Sequence, residues 1–312
     1  MALRVALQMD PVGSLNPKGD SSLLIGREAQ ARGHALFTYT PDTLSWQNGN
    51  LTARGHALKL REGLTDFYSL GPLEKLELAQ FDVVLLRQDP PFDMAYITST
   101  HLLEQLPPST RVFNHPGNVR DLPEKLMPLL FREFMPPTLI SHDIQEIEAF
   151  RAEHGEIIIK PLYGYGGRAV LHLKKDDDNL PALLEMHAAT SREPLMAQRF
   201  LPEVKTQDRR IILIDGVVKG VLGRIPAEGE IRANMRVGGS PAKAELTPRQ
   251  RDICDAVGPV LRDKELLLTG LDVIGDYLTE INLTSPTGLV QTNALHGLKL
   301  EADFWNALER KL

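Results

Sequence analysis

Apolar and polar positions change their rhythm near residue 120, and this divides the chain into two stretches of different character. Leu3–Met9 is short and largely apolar, which predicts a first strand. Asp20, Ser21 and Ser22 are residue types that close a helix N-terminus with a side-chain oxygen, and they precede a helical stretch ending near Gly33. Leu36–Tyr39 predicts a second strand. Phe81–Leu86 (FDVVLL) is a continuous apolar run, as a strand covered on both faces requires. Met94–Leu106 reads as a helix and Arg111–Asn114 as a further short strand. Strand–helix–strand alternation over residues 1–120 predicts a small open α/β domain, with a binding edge at the polar ends of its parallel strands.

Beyond Asp121 the pattern changes. Glu124–Phe134 reads as a helix that Pro136-Pro137 stops. Asp143–His154 is a capped amphipathic helix, and Glu185 sits in another short one. Ile157–Lys160 and Ala169–Leu173 are strand-like and flank the segment YGYGG. Leu195–Leu201, Arg210–Asp215 and Val217–Ile225 predict antiparallel strands, with Asp215-Gly216 as a hairpin turn. Pro226–Pro241 is glycine-rich, polar and irregular, and loops of that length are usually functional. Thr247–Arg262 is helical. Leu266–Ile274 and Leu278–Leu283 predict two strands joined by Gly275–Tyr277, and Glu301–Leu312 closes the chain as a helix.

A length of 312 residues suits two or three domains or subdomains. With 42% hydrophobic and 24% charged residues, the composition is that of a soluble globular protein. There is no run of about 18 apolar residues, so no membrane span is expected. The opening MALRVALQMD lacks the longer apolar stretch and cleavage site of a signal peptide. Cys254 is the single cysteine, which excludes an internal disulfide and fits a reducing cytoplasm. A net charge of −6 argues against a nucleic-acid partner.

Gly164-Tyr165-Gly166-Gly167-Arg168-Ala169 fits G-x-G-x-x-A, a dinucleotide-binding fingerprint, but that motif needs a helix after the glycines. Here AVLHLKK alternates like a strand and IIIKPL precedes it, so the glycines sit at a hairpin tip. Such a tip is either an ordinary flexible turn or a cover that brings backbone N–H groups onto phosphates. Lys160 ends a buried apolar run and is costly there unless it meets an anion, whether a phosphate or a neighbouring carboxylate. No Walker A motif occurs.

The strongest constellation is GLDVIGDYLTEIN, Gly270–Asn282. With a three-residue connection, Asp272 stands opposite Glu280, about 5 Å apart at Cβ, and Asn282 joins their face. A two-residue turn would put the two carboxylates on opposite faces, so an odd-length loop is predicted. Facing carboxylates in a half-buried sheet need a cation or a shared proton. Two carboxylates and an amide oxygen make a hard set suited to Mg²⁺.

RQDPPFD (87–93), EKL (124–126), IIIKPLYGYGG (157–167), AQRFLPE (197–203), GRIPAEGEIRAN (223–234), GLDVIGDYLTEIN and TSPTG (284–288) resemble the prokaryotic glutathione synthetase family, as do MDP (9–11) and GDSS (19–22). The resemblance implies an N-terminal open α/β (pre-ATP-grasp) domain over residues 1–122. An ATP-grasp fold of two α+β subdomains follows over 123–312: an ATP lid subdomain at about 136–192 and a C-terminal catalytic subdomain at 193–312. It also implies ligation of γ-glutamylcysteine with glycine at the expense of ATP.

The family pattern assigns ATP binding to Lys125, Lys160, Gly164, Gly166, Gly167, Gln198, Leu201, Asp208 and Arg210. It assigns catalysis to Arg210, Arg232 and Asn234, and the metal to Asp272, Glu280 and Asn282. Asp20, Ser21, Arg87, Asp89, Arg224, Thr287 and Gly288 fall at its substrate positions. It implies two Mg²⁺ (or Mn²⁺) ions, ATP as co-substrate and a homotetramer. Two places depart from the pattern: Gly19 stands where lysine is usual, and Leu289-Val290-Gln291-Thr292 follows TSPTG where a stretch like IREI is common.

The implied chemistry is attack of the donor carboxylate on the ATP γ-phosphate, then of the glycine amine on the acyl phosphate. Gly164–Gly167 and Pro226–Ser240 would be the two water-excluding covers. Arg232 is expected to bring charge in on closure, and Arg236 to be a solvated loop charge. Asp20 and Ser21 read equally well as helix caps. The histidines show no metal-ligand spacing, and Cys254 reads as core. The rival readings are another ATP-grasp ligase with different substrates, a nicotinamide oxidoreductase using GYGGRA, and a noncatalytic nucleotide-binding module.

Overall fold

The structure, a computed structural model, describes residues 2–312; the side chain of Arg236, and with it the expectation made for it, lies outside the described residues. Residues 4–113 form a seven-stranded mixed sheet. Its strands are β1 (Arg4–Gln8), β2 (Ala35–Tyr39), β3 (Ser45–Gln47), β4 (Asn50–Leu60), β5 (Tyr68–Glu77), β6 (Val83–Leu86) and β7 (Arg111–Phe113). β2, β1, β6 and β7 run parallel side by side. β4 pairs antiparallel with β2, and β3 and β5 pair antiparallel with β4. The chain leaves β1 for β2 on one side and β6 for β7 on the other. The C-terminal ends of β1 and β6 therefore form the switch point where open α/β sheets bind ligands.

The antiparallel part, residues 45–77, was not expected from the sequence. β5 carries Gly71 and Pro72 and buries only one of its ten residues, so its period-2 signal is weak. Helix α1 (Ser21–Ala31) starts at Asp20, whose Oδ1 accepts from the Ser22 and Leu23 N–H groups at 2.7 and 2.9 Å. Helix α2 (Met94–Leu103) starts at Asp93 in the same way, with 2.9 Å to Tyr96 N. Helix α3 (Pro116–Asp121) follows β7.

The expected helix over 124–134 does not form. Met127–Phe134 is a 3₁₀ segment broken at Phe131 (φ −129°, ψ 43°). Pro128 lacks the N–H a regular helix would use, and its ring crowds the preceding turn. The next sheet has the order β10-β9-β11-β8, built from β8 (Thr138–Ser141), β9 (Ile157–Pro161), β10 (Leu171–Leu173) and β11 (Leu195–Arg199), all antiparallel. Helices α4 (Ile144–His154) and α5 (Leu180–Thr190) cover it, and Ile147, Leu180 and Leu184 pack on Ile157, Ile159 and Leu173.

A short helix α6 (Val204–Gln207) leads into the third sheet, β14-β13-β12-β15-β16. Its strands are β12 (Asp208–Ile214), β13 (Val217–Ile225), β14 (Ser240–Lys243), β15 (Leu268–Ile274) and β16 (Tyr277–Asn282). Asp215 and Gly216 have φ of 51° and 70°, the left-handed pair a tight hairpin needs. Ser240 and Pro241, expected within the irregular loop, begin β14. Helix α7 (Pro248–Asp263) carries a full capping box between Thr247 and Gln250. Helices α8 (Leu289–His296) and α9 (Leu300–Glu309) return the chain to helix α1 of the first domain. There Trp305 is fully buried and donates from Nε1 to Ile25 O at 2.8 Å. Among the described residues no helix is long and apolar enough to cross a membrane.

Candidate active site

One face of the third sheet carries the chemistry. Arg210 on β12 stands opposite Asp272 on β15, Asp208 opposite Arg224 on β13, and Asp272 opposite Glu280 on β16. Alternation along each strand therefore puts Asp208, Arg210, Arg224, Asp272 and Glu280 on one side. The pairing of Asp272 with Glu280 arises differently from the prediction. Ile274 pairs with Tyr277, so the turn is the two residues Gly275-Asp276 and the predicted odd-length loop is absent. A β-bulge supplies the odd residue: the register shifts between Val273 and Asp272, leaving Thr279 as the extra residue on β16. The Thr279 hydroxyl donates to Asp272 O at 3.0 Å and pins the bulge.

The buried charges on this face compensate one another. Arg210 forks Asp272, Nε to Oδ1 at 2.5 Å and Nη2 to Oδ2 at 3.0 Å. Arg224 reaches Asp272 Oδ2 at 3.2 Å and Asp208 Oδ1 at 2.6 Å. Burial alone would push Asp272 up, but the two guanidiniums prevail and hold it at about 2. For Asp208 burial wins over Arg224, and its carboxyl rises above the ordinary range. Arg224 loses to burial but gains more from Asp208 and Asp272, and its pKa rises.

Lys125 and Lys160 approach Glu280 Oε1 at 3.6 and 3.5 Å. Burial pushes Glu280 up, yet these two lysines bring it below its usual value. Lys160 itself is depressed by burial, with Glu280 opposing. Lys125 also donates to Gly164 O at 2.5 Å. Two buried lysines converging on one carboxylate beneath a glycine turn make a site that would take an anion and a cation together.

Asn282 donates from Nδ2 to Gly270 O at 3.0 Å, which turns its Oδ1 the other way. Among the described residues no three His, Cys, Asp or Glu side chains form a metal cluster. The candidate set is instead two carboxylates and an amide, all oxygen, which fits a hard divalent cation. Because both oxygens of Asp272 already meet arginines, Glu280 and Asn282 carry the more available donors.

Two cavities meet at this face. A cleft of about 110 Å³ between the second and third sheets is lined by Lys160, Gln198, Leu201, Asp208, Asp272 and Ile274, among others. Gln198 is fixed by a 3.0 Å bond to Thr138 Oγ1. A larger cavity of about 440 Å³ opens toward the switch point of the first sheet, with Asp20, Asp89, Arg210, Asn282, Thr287 and Gly288 in its wall. Arg224, Asn234 and Glu280 line both.

The two covers touch: Arg232 donates from Nη1 to Gly167 O at 3.1 Å while its Nη2 pairs with Glu230 at 2.6 Å. Gly166 and Gly167 have φ of 63° and 78°, which a side chain would resist. Tyr163, at the root of this hairpin, stacks on Phe92 of the first domain at 5.9 Å and 22°.

Other expected residues lie behind the walls. Arg87 is buried and donates to Ser22 Oγ and Pro286 O, both at 3.0 Å, so it braces the loop before Thr287. Ser21 is fully buried at the start of α1. Neither lines either cavity. Asp20 both caps α1 and lines the larger cavity, so its two readings coexist.

Glu124 was missed although it sits in the EKL motif. It accepts from Leu283 N and from Thr284 N and Oγ1, at 3.1, 3.2 and 2.7 Å, and lines the larger cavity. The two departures from the family pattern meet, since a Cβ on Gly19 would lie 2.8 Å from Gln291 Nε2. Cys254 is buried and its thiol is pushed up to about 12 by that burial, so it is no nucleophile.

An α/β domain followed by two antiparallel sheets that clasp a cleft is the architecture of ATP-grasp ligases. Solved structures share it. A D-cycloserine synthetase, DcsG, aligns with a TM-score of 0.68 over 98% of this chain and 99% of that chain, at 14% identity. The D-alanyl-alanine synthetase A of Vibrio cholerae aligns with a TM-score of 0.59 over 99% of each, also at 14% identity.

The chain belongs to the prokaryotic glutathione synthetase family. The family's N-terminal domain model matches residues 3–120 and its ATP-grasp domain model matches 124–297. The chain is 52% identical to the glutathione synthetase of Rhodopseudomonas palustris, over 100% of this chain and 99% of that one. It is 42% identical to that of Pseudomonas putida, over 100% and 99%.

Proposed function

We propose that this chain is an ATP-dependent carboxylate–amine ligase that joins γ-glutamylcysteine to glycine, giving glutathione, ADP and phosphate. The observation that carries the reading is the meeting of two cavities at Arg224, Asn234 and Glu280. One cavity lies between two sheets, where a nucleotide would sit, and the other opens at a sheet switch point, where a peptide would sit. Family membership at 52% identity over the whole chain supports the choice of substrates.

In this reading the cleft between the sheets holds ATP, with Gln198 and Leu201 at the base and Lys125 and Lys160 at the phosphates. The donor's C-terminal carboxylate, in the larger cavity, attacks the γ-phosphorus; ADP leaves and an acyl phosphate forms. The glycine nitrogen then attacks the acyl carbon, the carbon–oxygen bond to phosphate breaks, and the amine gives up a proton. Arg210 and Arg224 spread the charge gained by the transferring group, each worth roughly 10²–10³ in rate by analogy with single preorganised donors. Their own carboxylates, Asp272 and Asp208, hold them rigid. Glu280 and Asn282, with Asp272 behind them, would hold Mg²⁺ or Mn²⁺, two ions in all. A bound ion supplies charge neutralisation across the phosphates. Gly164–Gly167 and the loop bearing Arg232 and Asn234 exclude water from the acyl phosphate.

The same reading divides the chain into a substrate domain at 1–122 and an ATP-grasp domain at 123–312, whose lid spans about 136–192 and whose catalytic part spans 193–312. It places the enzyme in the cytoplasm as a homotetramer. Incubation with ATP, Mg²⁺, γ-glutamylcysteine and glycine should give a product with the mass of glutathione and one ADP per product. Turnover only with a different donor or acceptor pair would replace the substrates while keeping the ligase chemistry. No ADP with any carboxylate–amine pair would overturn the reading.

A further inference from the structure

Gln291, on the first turn of α8, forms part of the wall of the larger cavity. Its Oε1 is buried and has no hydrogen-bond partner among the described residues. A buried acceptor left without a donor costs roughly tenfold or more in an equilibrium, so such a group marks a place where a donor belongs. Gly19 faces it across the wall. A Cβ there would lie 2.8 Å from Nε2, so a larger residue at 19 would displace the Gln291 amide from its present position. The missing side chain at 19 therefore leaves room for the Gln291 amide in the cavity wall, its Oε1 just beneath the surface.

The surroundings say which chemical group should fill the place. Asp20, Asp89 and Glu124 line the same cavity, while its two arginines, Arg210 and Arg224, are engaged by Asp272 and Asp208. Gln291 does not line the nucleotide cleft, and so stands apart from Arg224, Asn234 and Glu280, where the two cavities join. An acceptor in an acid-lined region away from the phosphates suits an ammonium group. The amine that is to be acylated must lie at the junction, so this ammonium is a different one.

We propose that Gln291 Oε1 accepts a hydrogen bond from the α-ammonium group of the γ-glutamyl head of the peptide donor, and that this contact makes the site specific for an amino-bearing donor. The inference rests on the substrates proposed above. Gln291 binds and selects; it takes no part in bond making.

The test compares γ-glutamylcysteine with glutaryl-cysteine, which lacks only the α-amino group, in the wild type, Gln291→Met and Gln291→Glu. The wild type should prefer the amino donor in kcat/KM. Gln291→Met, similar in length and apolar, should lower kcat/KM for γ-glutamylcysteine by about ten- to a hundredfold, the range for a buried hydrogen bond to a charged group. It should leave glutaryl-cysteine, and the KM values for ATP and glycine, unchanged. Gln291→Glu keeps an acceptor and should retain the preference. Equal losses for both donors, a shifted KM for glycine in place of the donor, or no loss at all would overturn the inference alone. A wild type that makes no peptide from γ-glutamylcysteine would overturn the functional reading together with it.

Discussion

Replacing Asp272 by Asn tests the charge lattice beneath the site. The change preserves size and removes one buried negative charge that faces Arg210 at 2.5 Å and Arg224 at 3.2 Å. The carboxyl is held at about 2 against an ordinary 3.8. At about 1.4 kcal/mol per unit, that difference amounts to roughly 2–3 kcal/mol of stability at neutral pH. Arg210 is then left buried without its counter-charge, and breaking a buried pair in this way costs roughly 3–5 kcal/mol. Arg224 keeps Asp208, so the lower end of that range is expected.

The pH dependence has a definite sign. A carboxyl whose folded value is depressed stabilises the fold above its unfolded value and loses that contribution as pH falls through the folded one. The gap between wild type and Asp272→Asn should thus be constant above about pH 5 and shrink toward pH 2. Urea unfolding followed by circular dichroism at pH 7 and pH 3, with ADP release at pH 7, measures both effects. Activity should fall at least a hundredfold, the scale of one lost preorganised charge contact. A variant within about 1 kcal/mol of wild type at both pH values would refute the lattice.

Lys160→Met and Lys125→Met should each lower kcat/KM for ATP by roughly 10²–10³ while leaving the KM for the peptide donor unchanged, as steady-state kinetics would show. Burial lifts the Glu124 carboxyl above its usual range against the pull of Thr284 and Lys125, so its ionised form is a cost that grows as pH rises through that raised value. Glu124→Gln keeps the Oε1 acceptor and should gain stability over wild type as pH rises above the ordinary glutamate range, measured by urea unfolding across a pH series. Phe92→Ala removes the ring that Tyr163 stacks on, a contact worth about 0.5–1.5 kcal/mol. The glycine cover should then leak, and the ratio of ADP released to peptide formed should rise above one.

Much of the site was legible because strand alternation is rigid. Asp272, Glu280 and Asn282 stand together since apolar neighbours fix which face of each strand is buried. What sequence spacing could not supply was the bulge at Thr279. A two-residue turn and a one-residue bulge give the same facing pair as a three-residue turn, so the prediction was right about the pair and wrong about the loop. Lys160 was readable as a lysine at the end of an apolar run.

Glu124 was not, because its partners, Leu283 and Thr284, lie about 160 residues away. The hairpin over 45–77 escaped for a different reason: β5 buries only one residue and is interrupted by Gly71 and Pro72, so burial leaves little imprint on its pattern. The helix expected at 124–134 failed through Pro128, whose missing N–H outweighed the apolar spacing around it.

In the proposed reaction the donor carboxylate becomes an acyl phosphate at the junction of the two cavities. The direct measurement uses γ-glutamylcysteine labelled with ¹⁸O in its cysteinyl carboxylate, with ATP and glycine, and mass analysis of the phosphate produced. Attack of that carboxylate on the γ-phosphorus predicts one ¹⁸O atom carried into each phosphate. Unlabelled phosphate formed alongside peptide product would contradict it.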